Sequence, residues 1–471
     1  MEASRTAVFS IGTVFSLSAT IFQQPIAEIS HVLGRKPAFL IVLVVFALGS
    51  IVAGTAKDMK MLLIGRAMQG FASGGSVLAA IVLTDLIELR DRATWISVQN
   101  GIQALGLVLG PLIGAGLLHA SSWRWLFYVN LPAIAVSAAG LSLLLGFDKP
   151  QQGVMVCLSR VDWVGLGIFI PSSMAFLSPF TMAGVLYKWS SWKALVPLIF
   201  GILGLITLAV HQRHFASYPM FRASVFEKRV TVSALVGLTI FGTCVNMIFY
   251  YLVVFWSGVR GLNEILTGIA LLPETFTMPI AAIICGLVMR KRNNIREAML
   301  VSWPLTTISL GLLWFLDAKT PLAALIVINM GVGLGAGAAS SALHITVLAA
   351  TKREDNGHAT AMSYLFRSAG MCLGIAVGTA IFTMGMNERF GQMEDSEMTA
   401  ESILRMLKDV KKDPESRDAI VRTLRLLWMT CCALSGIAGL ICCSCQYPGL
   451  YRTPKPHWFV GQMGDGVLKS V

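Results

Sequence analysis

The stretch ALGLVLGPLIGAG, Ala104 to Gly116, is apolar throughout, yet it contains four glycines and a proline. These residue types weaken a helix interior. Gly106, Gly110 and Gly114 recur every four residues, so at about 100° per residue they fall within an arc of about 80°. Such a face is smooth enough for a second helix to press its backbone against it. Pro111 removes one backbone donor and bends the helix locally, a cost that neighbouring helices absorb inside a bundle. The pairing of glycines four apart is common in membrane helices. The longer pattern, with Pro111 and Gly116 added, is more specific.

Outward from this stretch, Ala93–Trp123 holds no Asp, Glu, Lys or Arg, and neither do Thr6–Ala27, Pro37–Ala56, Ala67–Thr84 or Trp125–Phe147. Each meets or approaches the roughly 20 residues that span a hydrocarbon core. Hydrophobic residues make up 55% of the chain and charged residues 13%, against about a quarter charged in soluble domains. A water-soluble surface cannot be built from that share. The expected class is an all-α polytopic membrane protein. The first run is longer than a usual signal-peptide core, and Gln23, Gln24 and Glu28 stand at its end where small cleavage-site residues belong. It reads as a true span.

Thirteen spans are expected, at 6–27, 37–56, 62–86, 93–118, 125–147, 161–183, 193–211, 230–256, 264–289, 297–316, 321–350, 357–385 and 423–445. Placing the loop of Arg35 and Lys36 in the cytoplasm puts 19 Lys and Arg on that side against 8 in the short loops opposite. That asymmetry sets the N-terminus outside and the C-terminus inside. The basic turn GRKP (34–37) after the first span is echoed by MRKRNN (289–294) in the later half, a weak internal repeat of the kind that builds secondary transporters. The expected organisation is a bundle at 1–148, an inserted helix pair at 149–229 and a second bundle at 230–445. The second bundle carries an extracellular loop at 386–422, and a cytoplasmic tail follows at 446–471.

The net charge of +12 is scattered among loops, which argues for cytoplasmic loop charge and against nucleic acid. The nine cysteines imply no disulfide framework, since Cys431, Cys432, Cys442, Cys443 and Cys445 lie in the last apolar run. Cys442, Cys443 and Cys445 are candidates for palmitoylation near a cytoplasmic end. Enzyme signatures fail: no Gly-Lys dipeptide exists for a Walker A loop, and there is no HExxH or GxSxG. No catalytic residue, metal site or cofactor is expected, and transport must draw on an ion gradient.

Charges inside spans are costly and functional by default. Arg66 sits one turn into the third span, flanked by Gly65, Gly70, Gly74 and Gly75. It reads either as a fixed cation that tunes a titrating neighbour or as an arginine snorkelling to the interface. Glu274 lies ten residues into its span, as a proton carrier, a site for a cationic substrate, or a structural hydrogen bond. Arg367 is similarly deep and suits an anionic group or a carboxylate partner. Asn246 and Asn329 are polar cavity candidates, while a lone His344 reads as a satisfied helix contact. Asp85 and Glu88 are expected to pair locally with Arg90 and Arg92.

On these residues the chain resembles the major facilitator superfamily, in particular its fourteen-helix drug:proton antiporter branch, over nearly its whole length. GLVLGPLIGAG resembles the antiporter motif through Gly106, Gly110, Pro111, Gly114 and Gly116. GRAMQGFASGG resembles the motif whose arginine, here Arg66, serves proton coupling. SHVLGRKP resembles the cytoplasmic latch loop through Gly34, Arg35 and Lys36. The stretches 121–132, VDWVG (161–165), TGIALLP (267–273) and 359–382 are also similar to family stretches, and the pair around 161–211 matches the branch's extra helices. The chain departs from the latch pattern at His31, where an aspartate is usual, and at Ala27, where a glycine is usual. The family's first helix, with its intramembrane aspartate, is expected to be missing before Met1.

The resemblance implies two pseudo-symmetric bundles working by alternating access, and a proton-coupled efflux transporter of small organic compounds. The implied partners are substrate, protons and the lipid bilayer, with the chain monomeric. The plasma membrane is the expected location, with a vacuolar or other internal membrane as the alternative. Two other readings stay open. One is an importer of the same fold. The other is a transport-inactive membrane protein with an assembly or regulatory role.

Overall fold

A computed structural model of the chain describes residues 5–120, 122–144, 159–182, 189–390, 414–445 and 447. Among the described residues there is no strand. The first group of helices is α1 (Arg5–Leu33), α2 (Arg35–Gly54), α3 (Met59–Gly74), α4 (Ser76–Leu86), α5 (Leu89–Ala120) and α6 (Asn130–Leu144). An inserted pair follows, α7 (Trp163–Met182) and α8 (Trp192–His214). The second group is α9 (Arg229–Val254), α10 (Glu264–Ala270), α11 (Leu272–Arg292), α12 (Ile295–Leu312), α13 (Leu322–Ala350), α14 (Asn356–Phe390) and α15 (Pro414–Cys443).

With α3–α4 and α10–α11 each forming one interrupted span, these helices give the thirteen segments read from the sequence. Eleven described segments are long and apolar enough to cross a membrane. The other two, α1 and α5, run for 29 and 32 residues, about 44 and 48 Å at 1.5 Å per residue. The polar stretch 386–422 is shorter than expected, because α14 continues to Phe390 and α15 begins at Pro414. The residues between them, and the tail after Tyr447, lie outside the described residues.

Local chemistry sets the helix ends. Asp58 caps α3 by accepting from the Met61 amide at 2.7 Å, and Asn263 caps α10 by accepting from Leu266 at 2.8 Å. Such caps satisfy amides that the helix leaves unpaired. Arg290, Lys291 and Arg292 close α11 before Asn293 in the left-handed region (φ 54°), where cations complement the helix dipole. Gly34, at φ +93°, makes the α1–α2 turn in a conformation that favours glycine.

The fold is two helical bundles with α7 and α8 beside them. Within the first bundle α1 and α2 both pack on α3, and within the second α9 packs on α14 and α11 on α13. Trp303, Trp428 and Phe255 fill the second bundle's core, each buried to within 2%. The bundles meet along two seams: α5 lies on α11, while α1 and α4 lie on α14. The insert closes the second seam from the side, with Leu177 of α7 against Leu17 and Ile21 of α1 and Cys372 of α14. On α8, Val196, Ile199, Phe200, Leu203 and Ile206 are exposed. That apolar face suits lipid, not water.

Candidate transport site

Arg66 projects from α3 into a junction of three helices. Its Nε donates to the Ile11 carbonyl of α1 at 3.3 Å and its Nη1 to Gln69 Oε1 at 3.1 Å. Gln69 Nε2 in turn donates to Ser50 Oγ of α2 at 2.8 Å. The guanidinium stacks 4.3 Å over the Phe15 ring, a cation–π contact. The flanking glycines permit this closeness. A Cβ at Gly65 would lie 2.6 Å from the Ala53 amide, and one at Gly70 would lie 2.5 Å from the Phe15 carbonyl. Arg66 is therefore a half-buried cation held by neutral groups, with no carboxylate partner among the described residues.

At the Gly34 end of the bundles, Arg35 is the hub. It donates to Asp85 Oδ2 of α4 at 2.9 Å, to Ser30 Oγ at 2.7 Å and, through Nη2, to His31 Nδ1 at 2.8 Å. Asp85 thus makes its ion pair across the bundle with Arg35, while the Arg92 Nε turns back to the Ile87 carbonyl at 2.7 Å. Lys36 Nζ donates to the Ser142 carbonyl of α6 at 2.8 Å.

His31 makes the contact that the sequence leaves open. Since Arg35 donates to its Nδ1, that nitrogen is the acceptor and Nε2 carries the hydrogen. Its ring stacks on His358 of α14, with centroids 4.3 Å apart and planes 13° apart. Glu28 Oε2 lies 3.6 Å from His358 Nδ1, also across the bundles. Beside them Asp355 takes Arg222 at 3.2 Å and the Ser224 hydroxyl at 2.5 Å. This ties the second bundle to the segment leaving the insert. Glu28, Arg222, Asp355 and His358 were missed as site residues. Their only sequence signal was polarity at the ends of apolar runs.

The deep polar residues separate into two sets. Glu274 is 3% exposed in the first turn of α11, and Asn329 of α13 is 1% exposed. Neither Glu274 Oε2 nor the Asn329 amide finds a hydrogen-bond partner among the described residues. Both border the seam where Thr277 Oγ1 donates to the Met330 carbonyl at 3.2 Å. The other set belongs to the α9–α14 pair: Asn246 Nδ2 donates to the Met371 carbonyl at 2.6 Å, and Arg367 lies half-buried on α14. His344 is half satisfied. Its Nδ1 lies 2.8 Å from the Ser340 carbonyl and its Nε2 has no hydrogen-bond partner among the described residues.

The glycine face of α5 differs from its expected packing. Among the described residues, a Cβ at Gly106, Gly110 or Gly116 would meet nothing within 4 Å, and one at Gly114 would meet only Leu126, at 3.6 Å. The contact that α5 does make closely is at Gly101, 3.2 Å from Pro279 of α11. At about 100° per residue Gly110 lies about 180° around the helix from Gly101, with Gly106 and Gly114 about 40° to either side. The antiporter-like face is thus turned away from the seam with the second bundle, and α5 runs helical through Pro111.

The cysteine expectation is also narrowed. Cys442 is buried, with its Sγ 3.5 Å from the Ser233 carbonyl of α9, so it is closed to acylation in this structure. Cys443 and Cys445 are only half-buried. No group of three or more His, Cys, Asp or Glu is placed to hold a metal ion among the described residues.

The family model described as Major Facilitator Superfamily matches residues 2–375. "MFS transporter L2" of Phoma sp. is 32% identical over 450 residues, covering 93% of this chain and 75% of the relative. "MFS efflux transporter aclA" of Aspergillus oryzae is 31% identical, covering 81% of this chain and 69% of that one. In fold, the chain is similar to the proton:xylose symporter XylE, with a TM-score of 0.56 at 12% identity, covering 93% of this chain and 86% of that one. The thirteen-segment, two-bundle architecture, the family match and the transporters among its relatives agree: the chain belongs to the major facilitator superfamily and is an integral membrane transporter of small molecules.

Proposed function

We propose that the chain is an exporter of small organic compounds that exchanges them for protons by alternating access between the two bundles. The observation that carries this reading is the polar contact set joining the bundles at the Gly34 end, where Glu28 and His31 meet His358. Facing polar and stacked side chains at a boundary between two packed bodies can part and re-form as those bodies rock. With the Gly34 loop in the cytoplasm, as its basic residues favour, this set is the inner gate in its closed state. Arg66 is the coupling residue: its uncompensated charge biases any titrating group that approaches it and links protonation to the α1–α2–α3 junction. Glu274, Asn329, Asn246 and Arg367 are the polar groups offered to a cavity between the bundles.

Residues 1–148 and 230–445 are the moving units in this scheme, and 149–229 is the spacer pair that flanks their second seam. The efflux names of aclA and of "Efflux pump FUS6" from Gibberella moniliformis, 26% identical over 91% of this chain, support the outward direction. A monomer in the plasma membrane completes the proposal. The test is retention of preloaded fluorescent acidic, neutral and cationic compounds by cells expressing the full chain. At least one compound is expected to leave faster than from empty-vector cells, with the difference abolished by a protonophore and by Arg66→Ala. Equal retention in all of these cells overturns the export reading.

A further inference from the structure

A polar cluster on the side of the second bundle that meets the first has the composition of an anion site. Tyr364 and Arg367 stand three residues apart on α14, which places them on one helix face. His344 of α13 meets Tyr364 edge to face, with ring centroids 5.1 Å apart and planes at 63°. The Arg367 guanidinium carbon lies 6.0 Å from the Tyr364 ring centroid. Tyr364 is 4% exposed and His344 2%, yet neither the Tyr364 hydroxyl nor His344 Nε2 has a hydrogen-bond partner among the described residues. A polar group buried that deeply without a partner is costly. Two beside an arginine point to something that binds there.

The charge balance selects the kind of ligand. The titratable groups that act on Arg367 and His344 are Tyr364 and each other, and no carboxylate pairs with Arg367 among the described residues. The cluster is therefore positive and holds a hydroxyl donor. The Ser340 carbonyl can only accept, so the His344 Nδ1 beside it carries the hydrogen and Nε2 is left as an acceptor for a ligand hydroxyl. A guanidinium presents paired N–H groups in a plane that matches a carboxylate.

The position of the cluster suits transport. Gly242 of α9 lies directly against the Arg367 carbonyl, where any Cβ would clash, so Arg367 is held at a fixed depth. Its neighbour Ser368 accepts from Gln23 Nε2 of the first bundle at 3.0 Å. The cluster thus adjoins the seam that an alternating-access cycle opens and closes.

We propose that Arg367 and Tyr364, with His344 beside them, form the anion-recognising part of the transport cavity, and that the exported compounds carry a carboxylate. This rests on the transporter reading above. Arg367 takes the carboxylate oxygens and the Tyr364 hydroxyl donates to one of them.

Binding to the purified full-length chain tests it, using three aromatic acids of increasing size (benzoate, 2-naphthoate and 1-pyrenecarboxylate) and the methyl ester of each. The readout is the ratio of acid to ester affinity within one protein, so a smaller folded fraction cancels. At least one acid is expected to bind wild type more than about tenfold tighter than its ester, as a charge-assisted pair predicts. Arg367→Gln is expected to bring that ratio to about one, Arg367→Lys to retain part of it, and Tyr364→Phe to lower it roughly three- to tenfold. Equal binding of acids and esters by wild type, no binding of any acid, or an unchanged ratio in Arg367→Gln overturns the site. The measurement needs no gradient, so it fails independently of export. Acid preference without gradient-driven efflux sinks the export reading alone, and export without acid preference sinks the site alone.

Discussion

Arg66 ties α3 to α1 with one side chain and reaches α2 through Gln69, and its geometry makes the residue hard to replace. Nε and Nη1 reach acceptors on different helices, the Ile11 carbonyl and Gln69 Oε1, while the plane of the guanidinium lies on Phe15. A lysine has a single point charge and no such fork. Arg66→Lys is therefore expected to keep the positive charge and still cut gradient-driven export at least about tenfold, the loss of one well-made charged hydrogen bond. Export near the wild-type rate would mean that charge alone suffices. Gly70 is as constrained, because its missing Cβ would sit 2.5 Å from the Phe15 carbonyl. Gly70→Val should destabilise the chain by about 1–3 kcal/mol through overpacking, read as a lower unfolding midpoint in detergent. An unchanged midpoint would contradict the close α1–α3 contact. The sequence made Arg66 legible because a charge in an apolar run stands out. It left Glu28 and His358 unmarked, because their pairing crosses 330 positions of chain and no local pattern encodes it.

α5 shows where helix patterning stops being informative. The spacing of Gly106, Gly110 and Gly114 correctly describes one face, but spacing carries no statement of which neighbour that face meets. The neighbour α11 is met through Gly101 instead, and the glycine face meets almost nothing among the described residues. That arrangement makes a two-part prediction. Gly110→Ala relieves the backbone entropy of a helical glycine without creating a clash, and should raise stability by up to about 1 kcal/mol. Gly110→Leu should fold equally well yet lose export, if the face is occupied at another point in the cycle as the family's antiporter motif implies. Thermal unfolding checks the first part, and efflux by a protein of wild-type abundance checks the second. Efflux at the wild-type rate in Gly110→Leu would reduce this face to a lipid-facing surface. The insert is legible for a local reason. In VDWVG, Asp162 accepts from the Gly165 amide at 2.8 Å and from Gln212 at 2.5 Å, and a side chain at Gly165 would strike both partners. The motif is thus a helix start tied to the end of α8.

At the scale of the whole molecule, the number and order of the helical segments among the described residues were readable because a bilayer imposes them on composition. Thirteen apolar runs gave thirteen helical segments, with interruptions at Gly75 and Leu271 that hydropathy does not register. The seams between bundles were not readable, because they are built from small contacts between residues far apart in the chain. One such contact joins Ser97 of α5 to Ser341 of α13, with hydroxyl oxygens 3.0 Å apart and both residues buried. Alternating access requires that contact to part once in every cycle. The direct test is the double variant Ser97→Cys, Ser341→Cys, with the bridge located by mass spectrometry and export followed before and after reduction. The account predicts that the 97–341 bridge forms, stops gradient-driven export and releases it again on reduction. Export at an undiminished rate through the bridged protein would contradict the movement of the two bundles against each other.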